Sequence, residues 1–480
     1  MPSIEEMEAL AKRRGFFWAS SELYGGFAGF YDYGPVGTML KRRLENAWRG
    51  YFLGLDPNFF EIETTDIMPE KVFKASGHLD SFVDPIAKCR KCGTAHRADH
   101  IMEEFLKEKF EGMTPEKLTE LIKKHNVKCP KCKGRLGEVS VFNMMFKVGV
   151  GPTGETAAYL RPETAQGAYV NFQQNFEILR KKLPLGLAII GKAYRNEISP
   201  RQLTSRVREF TQAELQIFFN PENLGGHPRW DEIKSYKLLA MPAGEELKEV
   251  ACDQLAKSMP KYYVYHMAIV QKFFLDVLKI PPKKFRFKQL SDEEKAFYNK
   301  YHWDMELDCE ALGGFKEVGG VHYRTDHDLA GHQKVSGKGQ EVFFDGKRFV
   351  PHVLELSFGV DRMLLCLLDI HYAKDGDRVY IRLPKALAPF TAAVFPLVNK
   401  DGLPEKAMEI YRALKPAVDC FYDDSGSIGK RYYRQDEIGT FACVTVDHET
   451  LEKGTVTVRD RDTTKQERVK VSELAAKLKG

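Results

Sequence analysis

Apolar residues recur along the chain with two different spacings. In "PVGTMLKRRLENAWRGYFL", which begins at Pro35, positions 36, 39, 40, 44, 47, 48, 51 and 52 are apolar and predict an amphipathic helix. Pro35 suits the first turn of that helix. A shorter helix is predicted over Ile4–Arg14. The stretch "FFEIETTDIM" follows Asp56-Pro57 and is rich in β-branched and aromatic residues, so it predicts a strand.

The rest of the pattern separates a core from two insertions. Residues 89–139 contain "ADHIMEEFLKEKF" and a second helix opened by Thr114-Pro115, both charged. Strand patterns return at 141–218, the next segment is again helical and charged, and strands resume at 303–353. The stretch "LELSFGVDRMLLCLLDIHY" predicts a strand that turns into a buried helix. We therefore expect a core at 1–88 and 140–375, an insertion at 89–139 and a helical insertion at 220–300.

The C-terminal part has a pattern of its own. Beyond 378 the apolar strands "AAVFPLV", "CFYDD" and "FACVTVD" alternate with helix patterns at 403–415 and 429–437. This alternation predicts a separate α/β domain over 378–480.

Composition narrows the class of protein. The chain has 480 residues, so several domains are expected. Its net charge of +5 permits a nucleic-acid partner without requiring one. No apolar run approaches the roughly 20 residues needed to span a bilayer, and the N-terminus lacks the order of a signal peptide. We expect a cytoplasmic protein with reduced thiols and no membrane contact.

Four of the nine cysteines form two CxxC pairs. Cys89 and Cys92 form the first pair, and Cys129 and Cys132 form the second. Two such turns can complete a tetrahedral site for structural Zn2+, which leaves no open position for a substrate. The alternative is four buried thiols without metal. The nearby His96 and His100 are interpreted as ordinary polar residues.

A polar pair follows the apolar run "LPLGLAII". If the strand continues, Arg195 and Glu197 point to the same face. Taken alone, the pair favours a structural ion pair. Within the next residues, however, "SPRQLTSRVREF" adds Arg201, Arg206 and Arg208 before the returning strand "FTQAELQIFF". Several guanidinium groups aimed at one place predict an anion site, and a polyphosphate fits it.

These motifs resemble a known family. The Arg-x-Glu strand with its returning strand (187–219) and the "FGVDR" strand and helix (352–370) resemble motifs 2 and 3 of the class II aminoacyl-tRNA synthetases. The helix and strand at 34–68 resemble motif 1. Other stretches narrow the resemblance, over nearly the whole chain, to the homodimeric glycyl-tRNA synthetases: "GGFAGFYDYGPVG", "SGHLDSF", "RADH", "LRPETAQG", "GKAYRNEISPR", "RVREFTQAEL", "RTDHDL", "LELSFGVDR", "DDSGSIGKRYYRQDEIGTF" and "TVRDRDT".

The resemblance implies an α+β fold. Its catalytic domain is an antiparallel sheet flanked by helices, with inserted subdomains and a C-terminal α/β anticodon-binding domain. It also implies a reaction in which glycine and ATP form glycyl-adenylate and pyrophosphate, and glycine then passes to tRNA(Gly). Mg2+ would accompany the ATP, with carboxylates such as Glu317 near it. A homodimer is expected from motif 1.

Several residues match the family's ATP site. Arg195 would contact the α-phosphate and Glu197 would read the adenine, while Arg206 and Arg208 would reach the outer phosphates. Phe210 would stack on the adenine and Arg362 would clamp the nucleotide from its other side, which makes Arg195 and Arg362 the implied catalytic pair. The full implied set is Arg195, Asn196, Glu197, Ser205, Arg206, Val207, Arg208, Glu209, Phe210, Glu317, Val318, Gly359, Val360, Asp361 and Arg362.

A second set matches the glycine pocket. Carboxylates would bind the ammonium group and leave no room for a β-carbon, while Arg97 and Arg324 would face the substrate carboxylate. An alanine-sized substrate can be excluded sterically, so no editing domain is expected. The implied set is Arg97, Glu163, Phe210, Thr211, Gln212, Ala213, Glu214, Arg324, Glu355, Leu356, Ser357, Phe358 and Gly359. Structural roles stay open for Glu163, as an acid at a helix start, and for Ser357, as a cap.

Two alternatives to this function remain. The first is a noncatalytic, nucleic-acid-binding accessory protein with the synthetase fold, and the second is a synthetase for proline, threonine, serine or histidine. An accessory protein has no reason to keep a triphosphate clamp. The chain also departs from the family pattern at Leu356, where proline is usual, and at "LTS" (203–205), where a glycine is usual.

Overall fold

The computed structural model describes residues 2–108, 110, 113–200, 202–292, 294–295 and 298–479. Arg201, one of the basic residues noted above, lies outside this set. Within these ranges no helix is both long and apolar enough to cross a membrane.

Sixteen α-helices occur in the described residues. The two helices predicted first, α1 and α2, have the predicted limits. Their ranges are α1 Ile4–Arg14, α2 Pro35–Phe52, α3 Glu70–Ala75, α4 His78–Ser81, α5 Ala98–Leu106, α6 Pro115–Lys124, α7 Ala165–Val170, α8 Phe172–Ile178, α9 Cys252–Leu255, α10 Lys261–Lys272, α11 His327–Ser336, α12 Val360–Ile370, α13 Leu403–Leu414, α14 Ile428–Ile438, α15 His448–Lys453 and α16 Val471–Lys479.

The same residues contain 26 strands, mostly short outside the central sheet. They are β1 Phe17–Ala19, β2 Tyr31–Tyr33, β3 Phe59–Glu61, β4 Ile67–Pro69, β5 Val83–Cys89, β6 Ala95–Arg97, β7 Leu136–Asn143, β8 Lys147–Val150, β9 Thr156–Leu160, β10 Leu185–Tyr194, β11 Glu209–Phe219, β12 Lys237–Met241, β13 Lys248–Ala251, β14 Phe285–Gln289, β15 Tyr301–Cys309, β16 Gly314–Thr325, β17 Val342–Phe344, β18 Lys347–Phe349, β19 His352–Gly359, β20 Tyr372–Asp375, β21 Arg378–Ile381, β22 Ala392–Pro396, β23 Cys420–Tyr422, β24 Ala442–Val446, β25 Thr455–Asp460 and β26 Gln466–Lys470.

A nine-stranded sheet organises the larger part of the chain, ahead of the C-terminal domain. Its order is β13-β12-β14-β15-β16-β19-β11-β10-β3, and the pairs are antiparallel except β12 with β14 and β10 with β3. Helices α2, α10 and α12 pack on one face through their apolar sides. The α+β expectation, an antiparallel sheet flanked by helices, is confirmed.

The amphipathic pattern at 35–52 places one face of α2 in the core. Leu40, Leu44 and Trp48 are buried there, and the Trp48 ring meets Phe358 of β19 at 5.9 Å between centroids. The predicted strand "FFEIETTDIM" is shorter than expected, since only β3 pairs with β10 at the sheet edge. The Asn58 side chain donates to the Pro184 carbonyl there, and the chain then turns toward β4.

The secondary structure predicted for 220–300 needs correction. The segment was expected to be helical, but besides α10 it contributes β12, β13 and β14, which extend the central sheet by three strands. In β14, "FRFKQ", apolar residues alternate with arginine and lysine, which is the period of two expected for a strand. The high charge of the segment led to the helical prediction. Helix α10 is buried almost throughout and packs against this added part of the sheet.

The cysteine-containing insertion forms a small unit with its own core. Strands β6, β5 and β7 form a three-stranded sheet, and α5 and α6 cover it through residues such as Met102 and Leu118. Thr114 caps α6 and Pro115 occupies its first turn, as predicted. The sheet begins at Val83 and ends at Asn143, so it includes residues on both sides of the predicted limits, 89 and 139.

The C-terminal part has a five-stranded sheet of order β23-β22-β24-β25-β26. Strands β23, β22 and β24 are parallel and correspond to the three predicted strands, while β25 and β26 were not predicted. A separate apolar core lies between the sheet and helices α13 and α16. The predicted limit at 378 falls within the hairpin of β20 and β21.

Candidate functional site

A cavity of about 240 Å³ opens where β11, β15, β16 and β19 meet the start of α12 and the loop that connects β10 and β11. Seventeen residues from the two predicted sets line it: Glu163, Arg195, Glu197, Ser205, Arg206, Val207, Phe210, Thr211, Gln212, Glu214, Glu317, Val318, Glu355, Ser357, Gly359, Asp361 and Arg362. The fold therefore brings most of both sets to one place, although they are spread over 200 positions of the chain.

Arg195 and Glu197 do not lie on a strand, contrary to the prediction. Strand β10 ends at Tyr194, and the backbone N–H of Glu197 donates to the carbonyl of Arg195 at 2.7 Å, which turns the chain sharply. The same-face argument therefore fails for this pair. Both side chains still line the cavity because the turn sits at its rim.

Arg195 is held between two aromatic rings. Its guanidinium lies 5.4 Å from the ring centres of Phe82 and Phe210, and its Nε donates to the carbonyl of Pro162 at 3.0 Å. The planar group is thus fixed at one edge, and its orientation does not depend on a bound anion. Such a preorganised cation suits an oxyanion or phosphate in the cavity.

The next basic residues are engaged with Glu197. Nε of Arg206 donates to Glu197 Oε2 at 2.7 Å. One terminal nitrogen of Arg208 donates to the Glu197 carbonyl at 2.8 Å, and the other donates to the Ala28 carbonyl at 2.9 Å. Arg208 is not one of the residues that line the cavity. Its backbone N–H donates to the Gly29 carbonyl at 2.7 Å and so holds the glycine-rich segment before β2 in place. The Arg206–Glu197 pair closes part of the rim.

The stretch "LTS" forms a 3-10 turn, Leu203–Ser205, that joins the two halves of the site. Leu203 is buried in the main core, and Thr204 Oγ1 donates to the Asp361 carbonyl at 3.2 Å. Nε of Arg362 donates to the Ser205 carbonyl at 2.8 Å, and its NH1 donates to the Glu317 carbonyl. Residues that replace the usual glycine therefore pack the loop onto α12.

Strand alternation divides the predicted residues of β11 and β19 between cavity and core. Glu214, Glu355 and Ser357 face the cavity. Three residues predicted beside them belong to the apolar core on the opposite face: Ala213, Leu356 and Phe358. Leu356 is fully buried in the middle of β19, paired with Leu215 and Val321, where a leucine N–H can take part in the sheet.

Three buried carboxylates, Glu163, Glu214 and Glu355, line the cavity, and the buried Arg324 contacts two of them. Arg324 is 1% exposed and donates to Asp328 at 2.8 Å, to Glu355 at 3.0 Å and to Glu163 at 3.4 Å. Arg324 was predicted to face a substrate carboxylate. Its guanidinium is instead paired with these acids, and it is not one of the residues that line the cavity. The sequence left open that Glu163 is only an acid at the start of a helix. Its contacts with Arg324 and His78 do not support that role.

The carboxylates differ in their affinity for protons. Burial raises the pKa of Glu355 to about 8, and burial together with the charge of Glu163 raises the pKa of Glu214. Burial alone would also raise the pKa of Glu163, but the positive charges of Arg324 and His78 hold it well below its usual range. Ser357 Oγ donates to Glu214 at 2.7 Å, so this serine binds an acid instead of capping a helix.

The other predicted residues lie around the cavity. Asp361 accepts from Tyr33 at 2.5 Å and from Lys41 at 2.9 Å, so it ties α12 to β2 and α2. Asn196, Glu209 and Val360 are adjacent in sequence to lining residues but are not in the described lining set. Arg97 lies in a neighbouring cleft of about 150 Å³ that Arg206 also lines, and it pairs with Asp84 at 3.2 Å.

Six lining residues were not predicted: Thr204, Tyr298, His302, Gly319, Gly320 and His322. The His302 and His322 rings lie 4.2 Å apart on β15 and β16, and His322 Nε2 is 3.6 Å from Glu355. Strand periodicity could have found Gly320 and His322, which share a face with Arg324. Tyr298 lies in a loop, and no sequence signal points to it.

The four predicted cysteine sulfurs converge, and their Sγ atoms all lie within 4.8 Å of one another. The Cys89–Cys132 and Cys92–Cys129 sulfurs are 3.5 and 3.8 Å apart. Tetrahedral zinc bound by four thiolates requires sulfurs about 3.8 Å apart, given the usual Zn–S bond, so the residues fit the ion. His96 Nε2 is 3.3 Å from Cys129 Sγ, a position from which an N–H can donate to a bound thiolate.

Comparisons with known proteins agree with this geometry. Residues 146–371 match the family model described as "tRNA synthetase class II core domain (G, H, P, S and T)", and residues 391–480 match the model described as "Anticodon binding domain". The chain is 43% identical to a glycine–tRNA ligase of Pyrococcus horikoshii, over 99% of this chain and 98% of that protein. A glycine–tRNA ligase of Methanocaldococcus jannaschii is 39% identical over the same shares.

Solved structures of more distant proteins share the fold. A threonyl-tRNA synthetase structure from Cryptosporidium parvum, titled as its RNA binding domain, has a TM-score of 0.62 at 18% identity and covers 98% of this chain and 97% of its own. A prolyl-tRNA synthetase from the same organism has a TM-score of 0.58 at 13% identity, covering 99% of this chain and 74% of its own. At these identities the likeness concerns the fold alone.

Proposed function

The chain belongs to the glycine–tRNA ligase family of class II aminoacyl-tRNA synthetases, and we propose that its cavity activates glycine with ATP and then transfers the glycyl group to tRNA(Gly). The observation that carries this proposal is the meeting of two opposite charge sets in one cavity. Three arginines (Arg195, Arg206 and Arg362) and three buried carboxylates (Glu163, Glu214 and Glu355) line the same cavity. A triphosphate suits the first set and an ammonium group suits the second.

The side chains act by holding charge in place. The glycine carboxylate is already an anion and attacks the α-phosphate of ATP without a general base, while pyrophosphate leaves. Arg195, fixed by Pro162 and Phe210, would stabilise the charge on that phosphate. Arg362, fixed by Ser205, would hold the nucleotide from the other side. The main contribution is therefore alignment and electrostatic stabilisation.

Binding of ATP would have to displace the Arg206–Glu197 contact. The two groups are 2.7 Å apart at the rim, yet the family's pattern implies that one contacts phosphate and the other adenine. Exchanging one charged pair for two ligand contacts costs little, since Arg206 is partly exposed and its present pair is screened by water. Mg2+ bound to the phosphates would lie near the Glu317 carboxylate, which lines the cavity.

Selection of glycine follows from the crowding of acids. Glu214, Glu355 and Ser357 surround the space at the carboxylate end, and Ser357 Oγ already bonds to Glu214. These groups can accept hydrogen bonds from an ammonium group while leaving no apolar recess for a β-carbon. Arg324 would support this set from behind by stabilising the negative charge of Glu163. Arg97, in the neighbouring cleft, would contribute through Asp84 and Arg206 and not by direct contact with glycine.

The test is exchange of labelled pyrophosphate into ATP, supplied with one amino acid at a time. Exchange that requires glycine, and that fails with alanine, serine, proline, threonine and histidine, supports the proposal. Exchange that requires serine or proline would instead support the sibling synthetase. An absence of exchange with every amino acid would support the noncatalytic accessory protein, which has no need of the arginines described above.

The raised pKa of Glu355 predicts a pH dependence for glycine binding. A carboxyl group with a pKa of about 8 is protonated below that pH and then no longer attracts an ammonium ion. We expect the KM for glycine to be lowest above pH 8 and to rise roughly tenfold as the pH falls from 8.5 to 6.5. Exchange kinetics with saturating ATP measure it, and Glu355→Gln should flatten the profile. A KM that rises with increasing pH over this range would contradict the assignment.

Zinc in the Cys89, Cys92, Cys129 and Cys132 cluster is proposed on the spacing of the sulfurs. Four thiolates close the coordination shell, so the ion would stabilise the insertion and take no part in the reaction. Metal analysis of the purified protein should give about one zinc per chain, and Cys92→Ser should lose it. His96→Ala is the matched variant and should keep the zinc. Equal zinc contents in all three proteins would contradict this site. A cluster of reduced thiols also suits the expected cytoplasmic location.

A homodimer is proposed from motif 1 and from exposed apolar residues within and beside it. Strand β3 is the edge of the central sheet, Ile67 is 47% exposed and Ile178 is 65% exposed. A groove of about 780 Å³ between residues 62–72 and 170–178 adjoins them. Sedimentation at micromolar concentration should show a dimer, and Ile178→Glu should raise its Kd at least ~10-fold. Phe343→Glu, on the exposed hairpin of β17 and β18, should leave the dimer intact, and a stable wild-type monomer would contradict the proposal.

A function is proposed for each region that was delimited from the sequence. Residues 1–88 and 140–375 would form the catalytic core, with the zinc-binding insertion at 89–139 and the sheet extension at 220–300. Residues 378–480 would bind the anticodon. In that domain the loop and start of α14, "DDSGSIGKRYY", present exposed Lys430 and Tyr433, which suit contacts with phosphates and unpaired bases.

A further inference from the structure

The motif "SGHLDSF" (76–82) belongs to the family pattern, but nothing above assigns it a role. It includes α4 and lies between α3 and β5. Two of its residues reach the reactive cavity from outside, each through a side chain that lines it. His78 contacts Glu163, and Phe82 contacts Arg195. One short segment therefore contacts both a carboxylate and an arginine of the same cavity.

His78 is closely constrained. It is buried, its Nδ1 lies 2.7 Å from Ser76 Oγ, and its Nε2 lies 3.5 Å from Glu163 Oε2. The ring packs edge-on against Phe73 and Phe82, with centroids 6.3 and 5.8 Å apart. Because a carboxylate only accepts hydrogen bonds, the nitrogen that faces Glu163 is the one that carries hydrogen.

The two oxygens of Glu163 have different partners. Oε1 accepts from Gln166 at 3.0 Å and faces Arg324 at 3.4 Å, while His78 faces Oε2. A carboxylate gripped on both oxygens cannot rotate freely. The His78 ring beside Oε2 also helps Arg324 to hold the pKa of Glu163 low, against the effect of burial, which raises it. Loss of the imidazole would therefore free Oε2 and weaken the negative charge next to the proposed glycine site.

Phe82 provides the second link. Its ring lies 5.4 Å from the Arg195 guanidinium, and its carbonyl accepts from the Met144 N–H at 3.1 Å. The Met144 carbonyl in turn accepts from the Asn196 N–H at 2.7 Å. The backbone of Asn196, directly after Arg195, is thus tied through Met144 to the segment that holds His78.

We propose that residues 76–82 position both halves of the reaction site, with His78 as the positioning residue for Glu163 and Phe82 as that for Arg195. This rests on the proposed activation of glycine by ATP. Neither residue touches substrate. Each fixes the charged group that does, so their effects should separate according to the reactant that each group binds.

Kinetics of glycine-dependent pyrophosphate exchange test the separation. His78→Ala should raise the KM for glycine roughly 10- to 100-fold, as expected for loss of a hydrogen bond to a buried charge, and change the KM for ATP by less than about threefold. His78→Gln retains an amide N–H donor and should recover part of the glycine affinity. Phe82→Leu should instead lower kcat or raise the KM for ATP, with the KM for glycine nearly unchanged. Asp80→Ala, on the exposed side of α4, is the matched control and should behave as wild type.

Equal changes of both KM values in His78→Ala, or no change in either, would overturn the role assigned to His78. If that variant does not fold, His78→Gln is compared with wild type in the same way. The role of His78 then requires that the KM for glycine change more than the KM for ATP. A wild-type protein that exchanges pyrophosphate with an amino acid other than glycine would refute the proposed function instead. The two failures are therefore distinguishable.

Discussion

Replacement of Arg195 with alanine is expected to lower kcat for glycine-dependent pyrophosphate exchange by roughly 100- to 1,000-fold, the usual cost of removing one preorganised group that stabilises a developing anion. The guanidinium is held by the Pro162 carbonyl and by two aromatic rings, so it meets the α-phosphate without reorganising. The KM for glycine should change little, because the proposed contacts of the ammonium group are with the carboxylates and not with Arg195.

Two comparisons make this result specific. Arg195→Lys keeps the charge but loses the planar fork and the stacking, so it should recover only part of the rate. Lys192→Ala removes a cation three residues earlier, where Lys192 pairs with Glu209 at 3.0 Å at the partly exposed end of β10, and should retain near-normal kcat. A loss in Lys192→Ala as large as in Arg195→Ala would mean that general positive charge, and not this one group, drives the reaction.

Replacement of Arg324 with methionine is expected to lower the free energy of unfolding by about 3 to 5 kcal/mol, as when one partner of a buried ion pair is removed. Arg324 is fully buried, and methionine would leave Asp328, Glu163 and Glu355 without their shared cation. The measurement is urea unfolding of the wild-type and variant proteins under identical conditions. Glycine-dependent exchange should also be lost, since the carboxylates would take up protons.

The double variant Arg324→Met with Asp328→Asn tests the cause. Neutralising Asp328 removes one of the stranded charges and should restore part of the stability lost in the single variant. Arg229→Met is the matched control, because Arg229 pairs with Glu232 at 2.8 Å with both side chains about half exposed, and its loss should cost about 1 kcal/mol or less. Equal losses in the two single variants would contradict the special role of burial at Arg324.

Local pattern predicted several elements well. Helices α1 and α2 have the predicted limits because their apolar spacing, capping residues and prolines all act within a few residues. The four cysteines were identified as one site because a CxxC turn is itself a local structure. Recognition of the family motifs identified 17 of the residues that line the cavity, since these motifs combine residue type with order along the chain.

Other features depended on contacts that the local pattern does not contain. Arg195 and Glu197 lie in a turn because Arg195 pairs with Arg208 through the backbone and Asn196 pairs with Met144. The strands in 220–300 form because β15 offers an edge on which β14 can pair. Arg324 was predicted to bind substrate, but in the folded chain its guanidinium forms ion pairs with Glu163, Asp328 and Glu355.

The sequence by itself determined which chemical groups this protein has, the positions of those helices and strands with a clear apolar period, and through its motifs the family to which it belongs. Those properties depend on residue type and on spacing over a few positions. Only the tertiary structure decided which of these groups face the cavity and which support them from behind, as His78 and Arg324 do for Glu163. The physical reason is that burial, charge pairing and the direction of a side chain arise between residues distant in sequence, so they exist only once the sheet and its helices are packed.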